Sequence, residues 1–136
     1  MNFSASFWDP FKPYIIQLGD IEQDKAIEKF EKIPWSEFLK RMIGKKEEEI
    51  HYSPTLEIEN KETKNILTIS AVGTPGNIEY YIFYKRPKEV KYFFGLSKKI
   101  KPNYLTETSK QTLDDAISCL NAFIKSDLDF LEDKIK

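Results

Sequence analysis

Seven basic side chains crowd one short stretch of this sequence: Lys85, Arg86, Lys88, Lys91, Lys98, Lys99 and Lys101, opposed there by Glu89 alone. The local charge is +6, so the remaining residues must carry −7 to reach the net charge of −1. Tyr80, Tyr81, Phe83, Tyr84, Tyr92, Phe93, Phe94 and Tyr104 interleave with or flank these cations. Cations and aromatic rings at this density suit recognition, either of an acidic protein surface or of a single nucleic-acid strand stacked on the rings. The competing reading is a sheet edge kept soluble by lysines, with the aromatics turned into the core. As an interface, the strip would offer Tyr81, Phe83, Lys85, Arg86, Lys88, Lys91, Tyr92, Lys98, Lys99 and Lys101. Nucleic acid is the weaker version. Nineteen of the 21 basic residues are lysines, whereas bidentate readout of phosphate or guanine favours the arginine fork.

Catalytic side chains are sparse. No Gly-x-Ser-x-Gly is present, and the single cysteine, Cys119, lies between Ile117 and Leu120 on an apolar helical stripe, where a thiol is inert filling. His51 is the only histidine and follows Glu47-Glu48-Glu49-Ile50. No second His or Cys stands at metal-ligand spacing to complete a site, so His51 reads as a surface residue at the start of a strand. Asp114 and Asp115 suit the positive end of a helix, and adjacent helical positions do not face one another as an acid–base pair. Asp127 and Asp129 carry no more than that. Neither a Walker loop nor a dinucleotide fingerprint occurs, and five glycines leave little scope for a phosphate cradle. The expectation is a protein with no enzymatic activity, no metal and no cofactor.

The chain has 136 residues, of which 40% are apolar and 32% charged. That length supports one domain with a core of its own, and the balance excludes a disordered tail or a small disulfide scaffold. A lone cysteine, an N-terminus unlike a signal peptide and no apolar run near ~18 residues together predict a cytoplasmic protein off the membrane.

The elements that carry the strip follow from period and punctuation. The first thirteen residues, with Pro10 and Pro13 among aromatics, read as an irregular lead-in. Tyr14 to Leu18 reads as a helix start or an apolar connector broken by Gly19. Asp20 is placed to cap a helix running to about Lys32. Trp35, Phe38, Leu39, Met42 and Ile43 form one helical face, with Pro34 suiting its start and Gly44 its left-handed end. The period then switches to two. Leu56 and Ile58, then Leu67, Ile69 and Ala71, then Ile78 to Lys85 predict strands, with Pro87 ending the third and Val90 to Phe94 forming a fourth. From Leu113 to Ile135 an apolar stripe predicts a long covering helix, capped by Thr108, Ser109 or Thr112, with Ser126-Asp127 marking a bend. The predicted fold is one α+β domain over 1–136: N-terminal helices, an antiparallel meander of about four strands, and a long C-terminal helix on the sheet.

In size, layout and lack of catalytic motifs the chain resembles the small immunity proteins of bacterial polymorphic toxin systems. The run Tyr52-Ser53-Pro54-Thr55-Leu56-Glu57-Ile58-Glu59-Asn60, then Leu67-Thr68-Ile69-Ser70, then Tyr81-Ile82-Phe83-Tyr84-Lys85-Arg86-Pro87 carries the likeness. It implies a binder that neutralises a cognate protein toxin by covering its active site or locking its fold. Many such families are strongly acidic, and this chain departs from them with its basic strip. Two alternatives stand beside it. One is a nucleic-acid-binding module using residues 80–104. The other is a small enzyme or ligand carrier with a pocket between sheet and helix, drawing on Tyr80, Tyr84, His51 or Asp114.

Overall fold

A computed structural model describes residues 2–136, the Tyr92 side chain excepted. Six strands form one sheet: β1 (Phe3–Trp8), β2 (Ile16–Ile21), β3 (Thr55–Asn60), β4 (Ile66–Thr74), β5 (Asn77–Tyr92) and β6 (Ser97–Gln111). Their spatial order is β2-β1-β3-β4-β5-β6, and every neighbouring pair is antiparallel. Four α-helices, α1 (Ala26–Lys32), α2 (Trp35–Met42), α3 (Leu113–Ile124) and α4 (Leu128–Lys134), and two 3-10 turns, Gln23–Lys25 and Glu47–Glu49, complete the described chain. The α+β class holds, with two strands more than expected.

Register explains why the helices lie on one face. Phe7, Leu56, Ile69 and Ile82 stand in one row across β1, β3, β4 and β5, and Ala5, Ile58, Leu67 and Tyr84 stand in the next. All eight are buried. Against these rows α1 brings Phe30, α2 brings Trp35 and Leu39, and α3 brings Leu120 and Phe123. Phe30, Trp35 and Tyr80 form a ring cluster with centroids 5.2 to 5.8 Å apart. Trp35 Nε1 donates to the Phe30 carbonyl at 3.1 Å, so its polar edge is satisfied inside the core.

Several expectations are corrected. The lead-in is a strand: Phe3, Ala5 and Phe7 face the core while Ser4, Ser6 and Trp8 alternate with them. That period of two outweighs Pro10 and Pro13, which fall after the strand. The segment from Tyr14 to Leu18 contributes to edge strand β2, in which Asp20 pairs with Ser4 and caps no helix. Pro87 does not end its strand. Pairing of β5 with β4 stops at Lys85, and a register shift in the β5–β6 ladder falls between Arg86 and Lys88, so Pro87 needs no ladder donor. Val90 to Tyr92 therefore continues β5. Residues 97–111, unassigned from sequence, form β6.

The C-terminal helix is two helices. Ser126 takes φ +59°, Asp127 N donates to Ala122 O at 2.8 Å and Ser126 N to Phe123 O at 3.2 Å. This is a Schellman stop with serine at the glycine position, and the Asp127 side chain then caps α4 by accepting from Phe130 N. The bend is where Ser126-Asp127 placed it. At the other end Thr112 is the cap: its hydroxyl accepts from Asp115 N at 3.1 Å, and Asp115 Oδ2 accepts from Thr112 N at 3.0 Å. The α2 expectations hold at both ends, with Gly44 at φ +78° just past the helix. Ile43, however, is exposed. No helix among the described residues is long and apolar enough to cross a membrane.

Candidate functional site

Beyond Lys85, β5 and β6 leave the sheet as a two-stranded ribbon, paired from Arg86 with Tyr104 to Tyr92 with Ser97. Six residue steps give it a length of roughly 20 Å. Phe93, Phe94, Gly95 and Leu96 close its tip, and Phe93, Phe94 and Leu96 are 76%, 108% and 88% exposed. Phe93 and Phe94 both take the left-handed conformation, at φ +53° and +56°. For side chains of this size that conformation costs roughly 1–2 kcal/mol each. The tip thus combines backbone strain with full exposure of apolar surface, and neither contributes to folding.

The ribbon bears Lys88, Lys91, Lys98, Lys99 and Lys101 against Glu89, a local charge of +4. Lys91, Lys98 and Lys99 are exposed, and Lys98 lies 3.8 Å from Glu89. Lys101 is exposed as well. The Tyr92 side chain lies outside the described residues.

Arg86, read from sequence as part of the strip, is buried. Its Nε donates to Glu132 Oε1 at 3.0 Å and its Nη2 to Glu132 Oε2. Nη1 donates to the Tyr84 carbonyl at 3.1 Å and to Thr106 Oγ1 at 2.7 Å. The guanidinium also stacks on Tyr84 and Tyr104, with centroid distances of 4.4 and 4.9 Å. It latches α4 to the base of the ribbon. Lys88 joins the same carboxylate at 3.3 Å. These bonds and charges hold the Glu132 carboxyl below the ordinary carboxylate range, Arg86 foremost.

Tyr81, Phe83 and Lys85 lie elsewhere again, on the sheet face opposite the helices. There they line a hollow of about 510 Å³ together with Trp8, Tyr52, Glu57 and a floor of short hydroxyl side chains. Burial pushes the Glu57 carboxyl up, with Lys85 pulling it back and the nearby Glu59 adding to the rise. The strip read from sequence therefore divides into three places: the ribbon, the latch at its base and the open sheet face. Sequence reasoning missed Glu57, Trp8 and Tyr52, which meet only once the strands are paired, and it counted Phe93 and Phe94 among the strip's aromatics without naming them, or Leu96, as contact residues. The aromatic pair beside Gly95, with no strand partner to bury it, was the available signal for the tip.

The remaining candidates lie apart from the strip. Cys119 is fully buried and its thiol is pushed up to about 11 by burial. His51 is exposed ahead of β3, its backbone N–H donating to Pro10 O at 2.8 Å. No group of three or more His, Cys, Asp or Glu among the described residues is placed to hold a metal. Tyr80 and Tyr84, offered for a pocket between sheet and helix, are core residues against Trp35 and Phe123. Compared with known proteins, the chain matches no family model, no curated protein and no solved structure.

Proposed function

We propose that this chain is a non-enzymatic protein-binding module that engages an acidic partner through the β5–β6 ribbon, in the manner of an immunity protein neutralising a bacterial toxin. One observation carries the reading: the ribbon tip presents Phe93, Phe94 and Leu96 to solvent on a left-handed turn. Strain and apolar exposure held together are signs of a surface kept for a partner. The lysines behind the tip supply steering toward an acidic surface, which raises the association rate more than the final affinity. Three bound aromatic or aliphatic anchors would then fill a groove on the partner. The step from binder to immunity protein rests on the sequence resemblance.

The test compares wild type with F93N/F94G, a pair chosen because Asn and Gly accept the left-handed turn. Each is immobilised and exposed to lysate of the cells that express the chain, at moderate salt. The expected result is one near-stoichiometric acidic protein on wild type, absent from the variant, whose unaided expression arrests growth and whose co-expression with this chain does not. A partner kept equally by both baits would remove the tip from the interface. Nucleic acid retained in place of protein, and released by salt, would overturn the reading in favour of a strand-binding module.

A further inference from the structure

The open face of the sheet holds a hollow that the ribbon does not explain. Trp8 and Tyr52 form one wall, their ring centroids 5.5 Å apart, and Tyr81 and Phe83 form the other at 6.4 Å. Three strand spacings separate β1 from β5, so the wall backbones stand roughly 14 Å apart. Between them Thr55, Ser70 and Thr68 make a shallow floor, because their side chains are short beside the rings that flank them. At about 510 Å³ the hollow falls in the range of pockets that take small organic molecules.

Its two charged residues are of opposite sign. Glu57 on β3 and Lys85 on β5 are both half-buried; they attract one another across the hollow, but no hydrogen bond or ion pair engages the charged atoms of either among the described residues. Glu57 pairs with Thr68 and Lys85 with Ile66. They are therefore two strands and one pleat repeat apart, roughly 12 Å between Cα atoms. A neutral apolar ligand covering the hollow would strip water from both charges and return nothing. A simple cation would leave Lys85 unpaired, and a simple anion would leave Glu57 unpaired. A ligand carrying both charges satisfies both groups.

We propose that this hollow binds a small aromatic zwitterion, its ring against the aromatic walls, its ammonium on Glu57 and its carboxylate on Lys85. Ring contacts provide area, and the two charge-assisted hydrogen bonds fix orientation. The site is independent of the ribbon and of the partner reading.

Three probes with one phenyl body separate the charges: phenylalanine, phenethylamine and 3-phenylpropionate. Each is titrated against the full chain by calorimetry and by the tryptophan fluorescence that Trp8 contributes. Phenylalanine is expected to bind about tenfold or more tighter than either single-charge analogue, the effect of one added hydrogen bond to a charged group. E57Q should bring phenylalanine down to the level of 3-phenylpropionate, and K85Q should bring it down to that of phenethylamine, with unfolding midpoints confirming that both variants fold. Equal binding of either analogue to wild type, or no binding of any probe at millimolar concentration, would overturn the proposal without recourse to a variant. So would a preference for phenylalanine that survives both substitutions.

Discussion

The Arg86–Glu132 latch allows a stability prediction whose order, not only its size, follows from geometry. The Arg86 side chain is 4% exposed and that of Glu132 is 35% exposed. Removing either partner breaks the same bidentate pair, but the charge left behind differs. E132A strands a buried guanidinium that keeps only the Tyr84 carbonyl, Thr106 Oγ1 and two ring faces. Breaking a buried pair in this way costs about 3–5 kcal/mol, and the surviving contacts put E132A near the lower end. R86M strands a carboxylate that water reaches and that Lys88 already meets at 3.3 Å, while Met refills much of the apolar stem's volume. Its cost is about 1–2 kcal/mol, mostly lost stacking and hydrogen bonds. R86M/E132M removes both charges and should fall within about 1 kcal/mol of wild type. Urea unfolding followed by the fluorescence of buried Trp35 measures all three. With a slope of about 2 kcal/mol/M, E132A lowers the midpoint by roughly 1.5 M and R86M by less than 1 M. The sign with pH is fixed as well. Hydrogen bonds and charge from Arg86 depress the folded carboxyl of Glu132, so its stabilisation is complete above the unfolded pKa and is lost as pH falls through the folded one. The gap between wild type and E132A should close across that acid window. If R86M cost more than E132A, or the two losses added in the double variant, the asymmetry argument would fail.

Four further outcomes are expected. K98E/K99E should slow association with an acidic partner about tenfold at low salt while leaving dissociation nearly unchanged, as read by surface plasmon resonance; equal association rates would take those lysines out of the encounter. T112A removes the hydroxyl that accepts from Asp115 N, one half of the capping box at the α3 start, and should cost about 1 kcal/mol in urea unfolding. Cys119, buried and with its thiol held near 11, should react with a thiol-specific disulfide reagent only as fast as the domain unfolds; rapid labelling of the native protein would contradict its placement. F93N/F94G should leave the melting temperature unchanged or raise it, because it replaces two strained left-handed residues by ones that accept the turn, and a marked fall would mean that the tip contributes to folding.

What could be read in advance depended on whether an element faces the core. Leu56, Ile58, Leu67, Ile69, Ala71 and Ile82 are buried apolar residues that recur at every second position on the helix-covered face, so their strands were legible. The same alternation runs through Phe3, Ser4, Ala5, Ser6 and Phe7, but the prolines and aromatics that follow drew the segment toward an irregular reading. β6 offered no such pattern. From Ser97 to Asn103 every residue is exposed, because the ribbon meets water on both faces and nothing selects apolar residues at alternate positions. The α3–α4 junction was placed at Ser126-Asp127 but read as a bend in one helix and not as a stop, because its left-handed residue is Ser126 and not a glycine. The hollow on the open face needed more than local pattern. Trp8, Thr55, Ser70 and Tyr81 form one row and Ser6, Glu57, Thr68 and Phe83 the next, a set spread over some eighty residues whose adjacency exists only once register is known.

The two proposed sites differ in how they depend on the fold, and that difference separates function from stability. Residues of the hollow sit on strands whose opposite faces form the core, so Glu57 and Lys85 are held by Leu56, Ile58 and Tyr84 beside them. A ligand there binds a surface already rigid, and little ordering opposes it. Along the ribbon from Arg86 to Tyr104, β5 and β6 pair only with each other, past the last residue of β5 that β4 reaches. An isolated two-stranded hairpin is marginal in water, so the ribbon's direction must be fixed at its base. Arg86 supplies that fixation: one guanidinium ties the Tyr84 carbonyl, Thr106 on β6 and Glu132 on α4 together where the ribbon departs. Weakening the latch should therefore reduce partner affinity even in variants that remain folded, through the lost orientation of a tip that the substitution never touches.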